Sequence, residues 1–535
     1  MDEKEKRKHL YQHEGFCHQV LGASVGSIYG TIVGTALGFS SVGLPLFGWD
    51  ENAPFIMGEY EKSVFTSVFV LVMIAGSIVG RYLTSLVGPR MILTALLLPT
   101  IASWLLIAFG KNIYLFFISR TILGMCGGIA LPIGQMYLTE ITSPDTRGFI
   151  ASTAMLSQYI YGFVDSVAVL VMSWRGLAML NAVVMAAHFL VSFFLPESPV
   201  WLLRKNMTEK ARDSLQFVRG KEDVEFELRD LQLRIEESRR SSSGLLDLLK
   251  GNYLKPLFVL TAFIAFRQLS GAFAVLSYTV EIFDTAGSGV GAIVSTVIIN
   301  AVQLCFNFLS NVMTDRIGRK KLYVASASLM GISHFSFGTY YHFHDKNEIA
   351  TRKFNWVPLV SLIFYCIGFS VGFAPALYVL MTELIPMRIR NSASAVMSVI
   401  NNAVCFIVVQ YFYSMRRELT EAGVFWFYGS ICIFAAVFCE IMLPETKGKN
   451  LDELEAAFAI KIAPKNESEG NSILLETNGA YNTGIVGVEN ASDFALFNDD
   501  DSDELPSGED VFEVMDDARS RSDILDKDHG EGTSR

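Results

Sequence analysis

Residues 314–322, TDRIGRKKL, set one acid and four bases between two long apolar stretches. Charge that dense cannot follow its flanks into an apolar interior, so it marks a turn in water between two segments that leave water. The same pattern recurs along the chain. Twelve apolar runs can be drawn, at about 19–46, 64–84, 92–109, 114–137, 149–172, 177–195, 256–283, 289–312, 322–342, 357–381, 391–413 and 424–443. Each is about the ~20 residues that a helix needs to cross ~30 Å of hydrocarbon. Lipid offers no partner to a bare peptide group, so each run is expected to be a helix. Composition agrees: 535 residues, 51% hydrophobic and 18% charged, with mean hydropathy +0.36. A water-soluble chain of this length is less apolar and divides into several domains. The expected fold class is an all-α membrane protein of twelve transmembrane helices.

Lys and Arg orient it. Lys4, Lys6, Arg7 and Lys8 precede the first run, twelve more Lys and Arg lie in 196–255, and four lie in 313–321. The alternate connections 47–63, 110–113 and 284–288 hold few, so the positive-inside rule puts both termini in the cytoplasm. The expected organisation is a cytoplasmic N-terminus (1–18), a six-helix half (19–195), a cytoplasmic helical linker (196–255), a second six-helix half (256–443) and an acidic tail (444–535). MDEKEKRKHLYQ leads straight into a full-length run, so that run is expected to be retained rather than cleaved. FNDDDSDELPSGEDVFE typifies the tail, whose composition predicts disorder and a place for sorting or scaffold proteins to bind. The net charge of −11 sits mostly in that tail and says nothing of nucleic acid. Seven Cys form no CxxC pair, His are scattered, and no Gly-Lys-Ser/Thr phosphate loop occurs, so neither a metal, a cofactor nor ATP drive is expected.

The halves repeat. LTSLVGPRM (83–91) stands after the second run as TDRIGRKKL stands after the eighth, with Gly88 and Arg90 matching Gly318 and Lys320. Ser85 replaces the acid Asp315, and Pro89 replaces Arg319. YLTEITSPDTRG (137–148) likewise matches LMTELIPMRIRN (380–391), aligning Glu140, Pro144 and Arg147 with Glu383, Pro386 and Arg390. To these add RTILGMCGG (120–128), PESPVWLL (196–203), RQLSG (267–271) and PETKGKNLDELE (444–455). In that order and at those helix ends, the motifs resemble the sugar porter family of the major facilitator superfamily over residues 19–455, and in style the insect trehalose and hexose facilitators.

The resemblance implies two parallel halves of six helices with solute held between them, moving by alternating access. It implies a salt-bridge network that holds the cytoplasmic side shut: Asp315, Arg319, Glu383 and Arg390 in the C-half, and Arg90, Glu140 and Arg147 in the N-half. The bland alternative is that these bases only anchor cytoplasmic loops. With Ser85 and Pro89 in place, the N-half latch is incomplete, and a weaker outward-facing bias is expected. The resemblance also implies a site lined by Gln158, Gln268, Ser270, Gly271, Tyr278 and Gln303. Departures from the family pattern fall at Arg267, Phe273 and Ser277 in RQLSGAFAVLSY, at Tyr378 in APALY, and at Asn401-Asn402. Such changes remove amides and both tryptophans that would hold a sugar, so ordinary glucose affinity does not follow.

Two charges stand out inside the runs, Asp165 and Arg267. Asp165 shares a helix face with Gln158, and a pair with Arg267 across the cavity is expected. Proton coupling through Asp165, or a polar crevice around either residue, remain as alternatives. Glycines at 22, 26, 30, 34 and 38 line one face of the first run and predict close helix packing. The chain therefore reads as a facilitator of a sugar in the cell membrane, not an enzyme. A different small, charged solute selected by Arg267 and a non-transporting nutrient sensor are the other readings open at this stage.

Overall fold

The computed structural model describes residues 16–143, 147–240, 251–385, 387–443 and 445, all of whose regular structure is helical. Twelve helical segments succeed one another and are numbered here as spans. Span 1 is Ile28–Trp49, preceded by a short helix Phe16–Gly26. Spans 2 to 6 are Glu59–Leu86, Pro89–Phe109, Ile113–Ile141, Arg147–Ala168 and Trp174–Ser192. Span 7 comes in three pieces, Gly251–Leu269, Ala272–Ser277 and Thr279–Thr285, before spans 8 and 9 at Ala292–Ile317 and Arg319–Lys346. Span 10 is also interrupted, running Val357–Gly368, Phe369–Phe373 and Ala374–Leu384. Spans 11 and 12 are Met387–Gln410 and Phe412–Met442. Ten of the twelve are long and apolar enough to cross a membrane by length and composition alone; spans 5 and 9 fill the two remaining places. This is the all-helical, twelve-span membrane fold expected from the apolar runs.

Local chemistry sets the ends. Asn112 and Ser173 turn their side chains back onto the backbone N–H groups of Tyr114 and Gly176, capping spans 4 and 6. Pro89 opens span 3, where its missing N–H costs nothing. Span 12 begins properly after Thr420, which stands at φ 68° and whose hydroxyl accepts from the Gly423 N–H. At the far end of span 1, Asp50 accepts from the Trp174 indole (2.9 Å), which holds its carboxyl below the usual range and ties span 1 to span 6.

Glycine does the packing that the first run predicts. A Cβ on Gly26 would run into Leu138 of span 4, one on Gly34 into the Gln158 carbonyl, and one on Gly38 into the Asp165 carboxylate of span 5. Spans 2 and 4 meet the same way: Gly76 faces Gly128, Gly80 faces the Ile129 backbone and Gly124 the Phe69 backbone, so the two chains touch. That is the structural content of RTILGMCGG. The outward faces expose Ile78, Leu98, Val183 and Phe434, as helices bathed in lipid do.

After span 6 come three shorter helices, Pro199–Arg204, Thr208–Arg219 and Glu225–Arg240. They share a small core of Leu202, Leu203, Ala211, Leu215, Val224 and Leu228. Arg219 joins this unit to the bundle, pairing with Glu227 (2.7 Å) while its Nη1 donates to the Ile141 carbonyl at the end of span 4 (2.7 Å). A carbonyl that a helix C-terminus leaves bare is thus taken by a cation. The expected disordered tail (456–535) lies outside the described residues.

Candidate functional site

Two spans depart from regular helix near mid-bundle. Phe39–Gly43 of span 1 and Phe369–Phe373 of span 10 are each wound as one turn of π-helix. A π turn releases a carbonyl from its normal partner, and such turns gather at functional sites. In both places a buried or half-buried guanidinium from another span takes up a carbonyl at the turn. Arg120 of span 4 donates to the Ala36 carbonyl (2.9 Å) and to the Ser40 hydroxyl (3.0 Å). Arg267 of span 7 donates through Nε to the Phe373 carbonyl (3.2 Å).

Around Arg120 the N-half is closed. The residue is 1% exposed, lies over the Phe65 ring (4.1 Å), and has the buried Asp165 within electrostatic reach. Asp165, also 1% exposed, accepts from Asn181 of span 6 (3.2 Å). The expected pair of Asp165 with Arg267 does not form: each sits in its own half, and Arg267 makes its bonds to span 10 and span 11. Arg267 donates to spans 10 and 11, whereas Asp165 faces Gly38 and has Arg120 of span 4 within reach.

In the C-half a chain of amides surrounds Arg267. Asn401 Oδ1 accepts from Gln268 (2.7 Å) and from Arg267 Nη1 (3.4 Å), and its own Nδ2 donates to Asn402 (3.2 Å). Asn307 of span 8 donates to Ser370 inside the span 10 turn (3.0 Å). Phe273 packs into the apolar core instead of toward this network. The side chain of Tyr378 lies outside the described residues.

Between the halves is a cavity lined by Gly34, Gly38, Ser41, Gln158, Asn300 and Gln303. Gln158 of span 5 and Gln303 of span 8 both line it. The Gln303 Nε2 is buried and unpartnered. At about 30 Å³ the cavity holds a few waters at most.

Span 7 breaks just above this site. Gly271 takes φ 79°, and the Ser270 carbonyl accepts from His334 Nε2 (3.2 Å) and Tyr365 Oη (3.4 Å), both buried. Beyond the break, Ala272–Ser277 and Thr279–Thr285 touch span 1 across the seam. Tyr278 stacks on Phe412 (4.9 Å), and Glu281 accepts from Tyr413 (2.6 Å). On this same far side the halves are stitched by Ser63, which donates to the Gln410 carbonyl (2.6 Å), and by Ser67, which donates to its Oε1 (2.5 Å).

On the linker side several charged residues find partners within their own halves. Arg319 pairs with Glu383 (3.0 Å), and Lys320 with Glu440 (3.1 Å). Arg90 donates to the Ser192 carbonyl (2.9 Å) and Glu140 accepts from Ser198 (2.5 Å), so these two latch residues do not pair with each other. Two further acids matter that the sequence reading left inside quoted motifs. Glu197 accepts from the backbone N–H groups of Arg90 (2.9 Å) and Met91 (3.2 Å), and Glu445 accepts from that of Arg319 (3.0 Å). Each caps the first turn of a span, 3 or 9, where the helix dipole favours an anion. The Ser85, Arg147, Asp315 and Arg390 side chains lie outside the described residues. Arg120, Asn181 and His334 were likewise missed, although a lone arginine in an apolar run was signal enough for the first.

The family model described as "Sugar (and other) transporter" matches residues 7–458. A facilitated trehalose transporter, Tret1, of the honeybee Apis mellifera ligustica is 33% identical over 448 residues, covering 82% of this chain and 88% of that one. The Tret1 of Anopheles gambiae is 33% identical over 440 residues; the match covers 82% of this chain but 55% of that longer protein. The xylose transporter XylE of E. coli, in a partially occluded inward-open conformation, superposes with TM-score 0.67 at 21% identity, over 81% of this chain and 100% of that one. Its complex with 6-bromo-6-deoxy-D-glucose gives 0.66 at 22% identity, over 82% and 99%. These structural likenesses establish the major facilitator fold.

Proposed function

The chain belongs to the sugar transporter family, a family of carriers rather than enzymes, and from that premise we propose that it moves a hexose-like polyhydroxylated solute, trehalose or a hexose, by alternating access. The observation that carries this reading is the meeting of Gln158 and Gln303 from opposite halves in one small cavity. Amides that face each other across a seam exchange hydrogen bonds with hydroxyls and release them when the halves part. The trehalose transporters that share a third of its residues support the same class of solute.

Each six-helix half, 19–195 and 256–443, acts as one body, and the 196–255 helices ride on the first. Both termini and this linker face the cytoplasm of a cell-membrane protein, by the distribution of Lys and Arg. The far side is then extracellular, and the Ser63–Ser67–Gln410 contacts are its closed gate. The linker-side acids and bases brace their own halves in this state and engage across the seam when the protein faces outward. Transport is uncoupled from protons, because Arg120 meets a serine, Ser40, in span 1 rather than an acid. The tail remains as the surface for sorting or scaffold proteins.

Uptake of labelled trehalose and glucose into proteoliposomes tests the reading. Flux that a Gln158→Ala change lowers at least tenfold, with no response to a pH gradient, is the expected result. Binding without flux replaces the carrier by a sensor, and flux driven by the gradient ends the uncoupled assignment.

A further inference from the structure

Arg120 and Arg267 meet different surroundings. Arg120 is buried with Asp165 in electrostatic reach. Arg267 has only neutral partners: the Phe373 carbonyl, the Asn401 amide oxygen, and the Phe369 ring 5.4 Å from Cζ. Among the described residues no carboxylate pairs with it, and its Nη2 donates to nothing. Nor is Nη2 sealed away. Arg267 is half-buried, and the buried unpartnered atoms include Arg120 Nε but no atom of Arg267. With Nε and Nη1 engaged, Nη2 is left with its N–H groups open.

An uncancelled charge at this depth is costly and marks function. We propose that the missing anion is carried by the solute, so that the preferred cargo is a hexose-like body bearing one carboxylate, a hexuronate being the simplest. This rests on the sugar-carrier reading above and narrows it. The free Nη2 end of one guanidinium suits one carboxylate, to which it donates a charge-assisted hydrogen bond. A phosphate monoester carries about −1.5 to −2 and would leave charge uncancelled. Gln268 and Asn401, bonded to each other beside Arg267, supply the amides that hydroxyls on the same solute need.

The test uses the full chain in proteoliposomes with labelled glucuronate, glucose, trehalose and glucose 6-phosphate. Glucuronate uptake at least tenfold above glucose is expected, with Arg267→Gln inverting that ratio. A monoanion also feels the membrane potential: about 59 mV, inside positive, raises the equilibrium accumulation of glucuronate about tenfold and leaves glucose unmoved. If glucose or trehalose is carried while glucuronate is neither carried nor competes, the carboxylate assignment falls and the sugar carrier stands. Preference for glucose 6-phosphate over glucuronate also overturns it. If none of the four crosses, the carrier reading itself fails. Should the variant not fold, competition between glucuronate and glucose on the unmodified protein decides alone.

Discussion

Asp165 and Arg120 show how single residues govern this interior. Neither is in direct ion-pair contact, yet each is 1% exposed, and each is the nearest opposite charge the other has in the N-half. Asp165→Ala leaves the guanidinium held only by a carbonyl and a hydroxyl. Removing one member of a contacting buried pair costs about 3–5 kcal/mol; across this longer gap we expect about 2 kcal/mol, read as a lower thermal midpoint in detergent. Asp165→Asn retains the bond to Asn181 and loses less. Replacing both charges, Arg120→Leu with Asp165→Leu, is expected to recover part of the loss. A double variant no more stable than the sum of the singles would mean the two do not interact.

At the scale of the element, span 7 is the informative case. Its break needs a residue that tolerates φ 79° and has no side chain, because a Cβ at Gly271 would strike the Tyr428 ring. Gly271→Ala therefore combines about 1 kcal/mol or more of backbone strain with about 1–3 kcal/mol of overpacking, and we expect a measured loss of about 2–4 kcal/mol. The carbonyl that the break frees at Ser270 has two donors, and His334→Leu removes one at a cost of about 1–3 kcal/mol. His334→Gln, which keeps an N–H, is expected to regain most of that in the same melting assay; equal losses for Leu and Gln would show that ring packing, not the hydrogen bond, is what matters. Beside each π turn, in spans 1 and 10, a carbonyl also accepts from an arginine of another span.

For the whole molecule, the question is which side opens. The described state is stitched on the far side by Ser67 and Gln410. Joining them as Ser67→Cys with Gln410→Cys under oxidation is expected to cut uptake at least tenfold, and reductant is expected to restore it. Undiminished flux through the oxidised protein would show that these helices need not part. The linker side supplies the complementary test. Ser85 stands where the second half has Asp315, so Ser85→Asp is expected to raise labelling of outward-facing cysteine probes; equal labelling in both proteins removes the idea of a weakened latch.

Twelve spans were legible from apolar run lengths, whereas Gln158 and Gln303 as solute-lining residues were only what the family resemblance implied. Hydrophobic length and loop charge are one-dimensional quantities, and lipid forces them to be obeyed locally. The glycine stripe was legible too, as a surface without side chains must meet another backbone. Which charge answers which was not. Asp165 and Arg267 look like natural partners along the chain, but that choice depends on where helix axes bend. The bends arise from π turns and a left-handed glycine whose carbonyls find donors on other spans. Glu197 and Glu445 make the same point: their motifs can be read in the chain, but only folding brings each to the N-terminus of a helix more than a hundred residues away. Electrostatic partnership inside a membrane is decided by three-dimensional distance, and only the packed bundle sets it.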